Sequence, residues 1–185
     1  MSSIDARVRY TRMIIEESFL ELLSEKPLSR VTVTELCQRA GLNRATFYKH
    51  YLDIPDLMEK LEEQLFDQLR RLFADHAASF DNFLPDALAL IRRNKDKFSI
   101  LSSRNGDPEL MGKAFMVCYE RAYPLLTQNP IDLSEEKRLM LYNFLSYGSG
   151  GVLNQWMSGG MKETDEEISR FILTLCGQIL DGFIR

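Results

Sequence analysis

Apolar residues recur three and four positions apart along nearly the whole chain, and no alternating run persists, so the pattern predicts helices throughout. Ile14, Ile15, Phe19, Leu22 and Leu23 form one face of a first helix over about residues 9–24. Lys26-Pro27 ends it, because proline disfavours helix in the residue before it. Thr32, with Glu35 three positions on, has the spacing of a capping box that opens a second helix. That helix runs to Ala40, where Gly41 supplies a left-handed turn. Asn43 then caps a third helix from Arg44 to Tyr51. Leu36, Ala40, Leu42 and Phe47 are the apolar members that would lock these helices to Phe19 and Leu23.

A fourth helix is expected from Asp53-Ile54-Pro55, with the proline tolerated in its first turn. Leu57, Leu61, Leu65, Leu69 and Leu72 carry its stripe to about Ala77. Breaks at Phe80–Leu84, Asn105-Gly-Asp-Pro108, Gln128-Asn-Pro130 and Ser158-Gly-Gly160 leave helices near 85–103, 108–126, 134–157 and 164–184. Ser134 and Thr164 precede acidic residues and read as N-caps. Gly148, Gly150 and Gly151 each cost a helix about 1 kcal/mol relative to alanine. Either close approach of a second helix offsets that cost, or the helix kinks there. The fold class is all-α: a three-helix helix-turn-helix domain over 1–55, then a helical bundle over 56–185.

Composition changes this picture in one respect. With 45% apolar residues the chain can bury a core, and its net charge of −4 taken alone argues mildly against nucleic acid. The distribution reverses that argument. Residues 1–51 carry +2 and the remainder −6, and residues 26–51 hold five basic groups against one acid, Glu35. Cys37, Cys118 and Cys176 are isolated and odd in number, which fits buried thiols in a reducing cytoplasm rather than a disulfide or metal motif. No run is long and apolar enough to span a bilayer, and the first residues lack the apolar core of a signal peptide. His50 and His76 fall in different helices. There is no glycine-rich phosphate loop, nucleophile elbow or His-x-x-x-His pair, so an enzyme, a metal site and a cofactor are not expected.

Val31-Thr-Val-Thr-Glu-Leu36, Arg39-Ala-Gly-Leu-Asn-Arg44, Thr46-Phe-Tyr-Lys-His-Tyr51 and Asp56-Leu57 resemble the DNA-binding domain of the TetR family of one-component regulators. Asn105-Gly-Asp-Pro108, Tyr147-Gly-Ser-Gly-Gly-Val-Leu-Asn-Gln-Trp156 and Gly159-Gly-Met-Lys-Glu-Thr-Asp-Glu-Glu167 are similar to a subgroup that includes the dihydroxyacetone-kinase operon regulators. The resemblance implies a homodimer on double-stranded DNA with a pseudo-palindromic operator, regulated by a small-molecule effector held in the second domain.

Residue by residue, the resemblance places Arg44, Ala45, Tyr48 and Thr34 at base edges and Thr32, Asn43, Thr46, Lys49 and His50 on the phosphate backbone. Arg44 suits guanine, whose O6 and N7 a guanidinium bonds together. The family often has a lysine where this chain has Ile54, so one phosphate contact is missing, although backbone N–H groups at that helix start could still hold a phosphate. Ile168, Phe171, Ile172, Leu175, Ile179 and Phe183 follow helical spacing and are expected at the dimer seam. Phe98, Phe115, Tyr119, Tyr123, Tyr142, Tyr147 and Trp156 are candidates for lining an effector cavity, although residues of this kind also fill ordinary cores. The expected function is a repressor whose operator affinity is set by that effector. The alternative is a co-regulator that acts through a protein partner without one.

Overall fold

The computed structural model describes residues 3–75, 80–114, 116 and 133–183, and every regular element among them is helical. These are α1 (Ser3–Glu25), a 3-10 turn (Leu28–Arg30), α2 (Val33–Ala40), α3 (Arg44–Phe47), α4 (Ile54–Asp75), α5 (Phe80–Arg93), α6 (Lys95–Leu101), α7 (Glu135–Ser158) and α8 (Asp165–Asp181). Residues 110–114 are also helical. None of the described helices is long and apolar enough to cross a membrane. His76 and Cys118 lie outside the described residues; Cys37 is buried and Cys176 half-buried.

The chain divides into two compact units. The first is Met1–Leu65 with Asp96–Pro108, and the second is Phe66–Lys95 with Glu109–Arg185. The first unit therefore passes the expected limit at residue 55 and takes in a segment from far along the chain. Burial gives the reason. Leu57, Leu61 and Leu65 of α4 and Phe98 and Leu101 of α6 are withdrawn from water, as are Ile15, Phe19, Leu22 and Leu23 of α1.

Within this unit the caps form where the local chemistry places them. Thr32 Oγ1 accepts the Glu35 N–H at 3.3 Å. The Glu35 carboxylate pairs with the Lys26 ammonium instead of returning to Thr32, so only half of the capping box is made. Gly41 has φ of 65°, the left-handed cap. Asn43 Oδ1 accepts the Thr46 N–H at 2.8 Å. The third helix is shorter than expected. After Phe47, i to i−3 bonds from Lys49 and His50 narrow the coil, and Tyr51 drops into the core. α1 starts at Ser3, earlier than the expected residue 9, so Arg7, Arg9 and Arg12 all lie on it.

In the second unit α5 starts at Phe80, across the Phe80–Leu84 stretch where a break was expected, and runs through Pro85. The proline sits near enough to the start that few intrahelical bonds are at stake. The expected helix over 85–103 is instead two. The Asn94 N–H donates to both Leu90 and Ile91 carbonyls and its side chain to Leu90 O, which closes α5. α7 is unbroken through Gly148, Gly150 and Gly151. A Cβ on Gly150 would make ordinary contact with Met111, and Gly148 and Gly151 face open space. α8 begins with a complete capping box between Thr164 and Glu167.

Arg92 fastens the connection between α7 and α8. Its Nε donates to Asp165 Oδ1 at 2.8 Å, Nη1 to Met161 O at 3.1 Å and Nη2 to Glu163 O at 2.7 Å. The guanidinium also lies 4.9 Å from the Trp156 ring centre, and Trp156 Nε1 donates to the same Glu163 carbonyl. These bonds hold Met161 at a φ of 54°, a left-handed conformation that side chains rarely adopt. Arg92→Met should cost about 2 kcal/mol of unfolding free energy, since hydrogen bonds to charged groups are the stronger ones. In urea unfolding the midpoint should fall with the slope unchanged; a midpoint equal to the native protein's would show that the turn holds itself.

Candidate nucleic-acid interface

The N-terminal ends of α2 and α3 present a polar surface while their other sides are buried. Leu36, Cys37 and Phe47 are withdrawn, and Phe47 meets Tyr48 edge-on at 5.5 Å and Tyr51 at 5.7 Å. This packing fixes which residues face outward. Thr32, Thr34, Asn43, Arg44, Ala45, Tyr48 and Lys49 are exposed; Thr46 and His50 are half-buried. Arg44 Nη2 donates to the Tyr48 hydroxyl at 3.2 Å, with the guanidinium 5.8 Å from the ring centre, an i, i+4 pair that extends along the exposed face. Thr46 is partly committed: its hydroxyl donates to Asn43 Oδ1 at 3.0 Å.

Ion pairs reduce the basic set read from the sequence. Lys26 is neutralised by Glu35, and Arg39 binds Glu25 in fork geometry at 2.6 and 2.9 Å. Among the described residues Arg30 and Lys49 make no salt bridge. The start of α4 also differs from expectation. The Leu52 N–H goes to Asp56 Oδ2 and the Asp56 N–H to Asp53 Oδ1, each at 2.8 Å. The chain's own carboxylates thus occupy backbone donors near this helix start that could have held a phosphate. The Lys60 ammonium and the Leu52 N–H hold the Asp56 carboxyl below its usual range.

Arg12, which the sequence did not single out, stands beside this surface. Loss of water, then the charges of Arg12 and Lys49, hold His50 below the usual histidine range, so it is neutral at pH 7 and offers an uncharged N–H. Burial, then the Glu16 carboxylate, push the Tyr51 phenol up, and it donates to Glu16 Oε1 at 3.0 Å. The i, i+4 spacing of Arg12 and Glu16 is the one sequence signal that could have pointed to this cluster.

Comparison with known proteins decides the family. Residues 78–178 match a family described as "Transcriptional regulator C-terminal region", and residues 17–61 match one described as "Bacterial regulatory proteins, tetR family". The chain belongs to the TetR family of transcriptional regulators. As a TetR protein it is a DNA-binding regulator, and the α2–α3 unit is its helix-turn-helix. It is 27% identical to a TetR transcriptional regulator from Streptococcus agalactiae 2603V, with a TM-score of 0.71 over 93% of this chain and 96% of that one. The dihydroxyacetone kinase operon activator DhaS shares the fold with a TM-score of 0.63 at 14% identity, over 95% of this chain and 98% of that one. An uncharacterized HTH-type transcriptional regulator of Bacillus subtilis (strain 168), YxbF, is 34% identical over 59 residues, which is 31% of this chain and only 16% of that relative.

The second unit of this TetR protein distributes its predicted residues unevenly. Phe115, Tyr119 and Tyr123 lie outside the described residues. Phe98 is core of the first unit. Tyr142 is buried, Trp156 is held by Arg92 and Glu163, and Tyr147 is exposed. A cavity of about 40 Å³ is lined instead by apolar side chains, Phe83, Leu88, Ile91, Met111 and Leu153 among them. On α8 the expected seam splits between two faces. Ile168 and Ile172 turn into the unit's core and Ile179 is half-buried, while Phe171, Leu175 and Phe183 remain exposed. The cause is that α8 is apolar over most of its circumference, so one stripe satisfies its own unit and another is left over.

Proposed function

We propose that the protein is a homodimeric repressor that reads a pseudo-palindromic operator through Thr34, Arg44, Ala45 and Tyr48. Thr32, Asn43, Thr46, Lys49 and His50 would contact the backbone. The observation that carries this reading is the exposure of Arg44 and Tyr48 on a short helix that the wholly buried Phe47 anchors. Two such tips on a twofold axis would enter successive major grooves about 34–36 Å apart. Selection of bound duplexes from random DNA, followed by footprinting, tests it: two related half-sites support a dimer, and an unstructured pool opposes it.

Lys49 carries a prediction of its own. Lys49→Ala should weaken binding to all sequences alike and lower the slope of log affinity against log salt by about one unit per subunit. Titration of operator and of unrelated duplex at several salt concentrations measures this. An unchanged slope would remove Lys49 from the phosphate contacts.

In the same proposal an effector acts on the second unit and shifts operator affinity by its difference in affinity for two states. The second reading is a co-regulator that acts through a protein partner without an effector. Calorimetric titration with small apolar compounds, set beside capture of a purified candidate partner, separates the two.

A further inference from the structure

We propose that Glu16, Gln64 and Lys97 form with Tyr51 a hydrogen-bonded chain that positions the end of the recognition segment, and that Lys97 is the point through which the second half of the sequence adjusts operator affinity. This rests on the DNA-binding role of α2 and α3 and concerns how that role is tuned.

Tyr51 follows directly on Lys49 and His50, and its ring packs beside Phe47, so its position governs how the preceding turn is presented. Its hydroxyl is fixed by Glu16 Oε1 on α1 at 3.0 Å. The same oxygen accepts Gln64 Nε2 from α4 at 3.1 Å. Gln64 Oε1 in turn accepts Lys97 Nζ from α6 at 3.3 Å. An amide has a donor end and an acceptor end, so a cation at one end decides which way round the group sits and thus whether Glu16 receives an N–H at the other. Burial lowers the Lys97 ammonium from its ordinary value while the Glu16 carboxylate opposes the shift. The bonds of this chain are all part-buried, with Tyr51 itself withdrawn from water.

The segment that carries Lys97 is built to stay on the DNA-binding unit. Phe98 and Leu101 are fully buried, and the Leu28 N–H, between α1 and α2, donates to Asn105 O at 2.8 Å. Gly106 makes the reversal possible: a Cβ there would stand 2.3 Å from Leu101 O. The Asn105-Gly-Asp-Pro108 sequence is thus the clip that returns the chain after α6. The stretches that precede and follow this segment both belong to the second unit. A strain on either flank reaches Lys97 directly along the backbone. Lys97 is half-buried, and it is assigned to this chain of bonds rather than to phosphate.

The test compares Lys97→Met, Lys97→Arg, Tyr51→Phe and the Lys97→Met/Tyr51→Phe pair in the full-length protein, on the operator that the wild type selects. Lys97→Met should bind that operator about five- to tenfold more weakly, with affinity for unrelated duplex and the thermal midpoint close to wild type. Lys97→Arg, which keeps a donor, should restore wild-type affinity. Tyr51→Phe should weaken operator binding, and the pair should be no weaker than the worse single variant. Operator affinity unchanged in Lys97→Met, losses that multiply in the pair, or equal losses on unrelated DNA would each overturn the coupling. A wild type that selects no sequence would overturn the DNA-binding role as well, so the two failures look different.

Discussion

A protein carrying Phe144→Glu and Phe171→Glu should run as a monomer and lose operator affinity by about a thousandfold or more, toward its value for unrelated DNA. Met140, Phe144, Tyr147, Gly148 and Gly151 occupy one exposed side of α7, where Phe144 leaves 66% of its surface open. Phe171, at 53%, with Leu175 and Phe183 gives α8 a similar surplus. Gly148 and Gly151 have nothing within contact range of a Cβ, so another helix could approach their backbone closely. Burying the part of each phenylalanine that is still open contributes about 1–2 kcal/mol, and a twofold axis uses every residue twice, so four rings supply roughly 4–8 kcal/mol before the cost of association. Glutamates at those positions remove that term and add carboxylates that cannot be desolvated unpaired. Both side chains are exposed within the subunit, so helicity and thermal midpoint should stay near native. Sedimentation velocity and circular dichroism check the first two points and anisotropy on operator the third. A variant that remains dimeric would place the twofold contact elsewhere.

Which features were legible in the sequence follows from range. Thr32, Asn43, Ser134 and Thr164 cap helices as their spacing foretold, because a cap depends on atoms within three residues. Gly41 sits at positive φ for an equally local reason. The helix-turn-helix combines such short signals with the burial of Leu36 and Phe47, and it too was readable. Glu35 shows the limit. Its spacing promised a return to Thr32, yet Lys26, nine positions earlier, takes the carboxylate. Spacing likewise showed α8 as apolar without saying which stripe its own unit would consume, so Ile168 and Phe171 could not be told apart. Membership of residues 96–108 in the DNA-binding unit depends on Asn105 meeting Leu28, a contact between residues far apart that no periodicity encodes. The aromatic residues behave similarly: Trp156 and Phe98 have the composition of a cavity wall, but Arg92 and the α1–α4 core hold them.

Arg44→Ala should cost about 1–3 kcal/mol per half-site on the selected operator while leaving binding to unrelated DNA nearly unchanged. The free protein keeps the guanidinium against the Tyr48 hydroxyl and ring, both on the exposed face, so the side chain is held extended and few rotamers are lost on docking. A guanidinium delivered to the major groove in this way bonds guanine O6 and N7 together, and no other base pair offers that pair of acceptors. The loss should therefore concentrate at one base position in each half-site. In the alanine variant the preference for guanine there should relax, with the other positions unaffected. Tyr48→Phe makes the complementary comparison. It removes the resting partner of Arg44 but not the base-reading group, so it should weaken binding by less and leave the base preference intact. Affinities of both variants on operators substituted singly across the half-site measure this. If Arg44→Ala binds every substituted operator as the wild type does, Arg44 is a solvated helix residue, and recognition falls to Thr34, Ala45 and Tyr48.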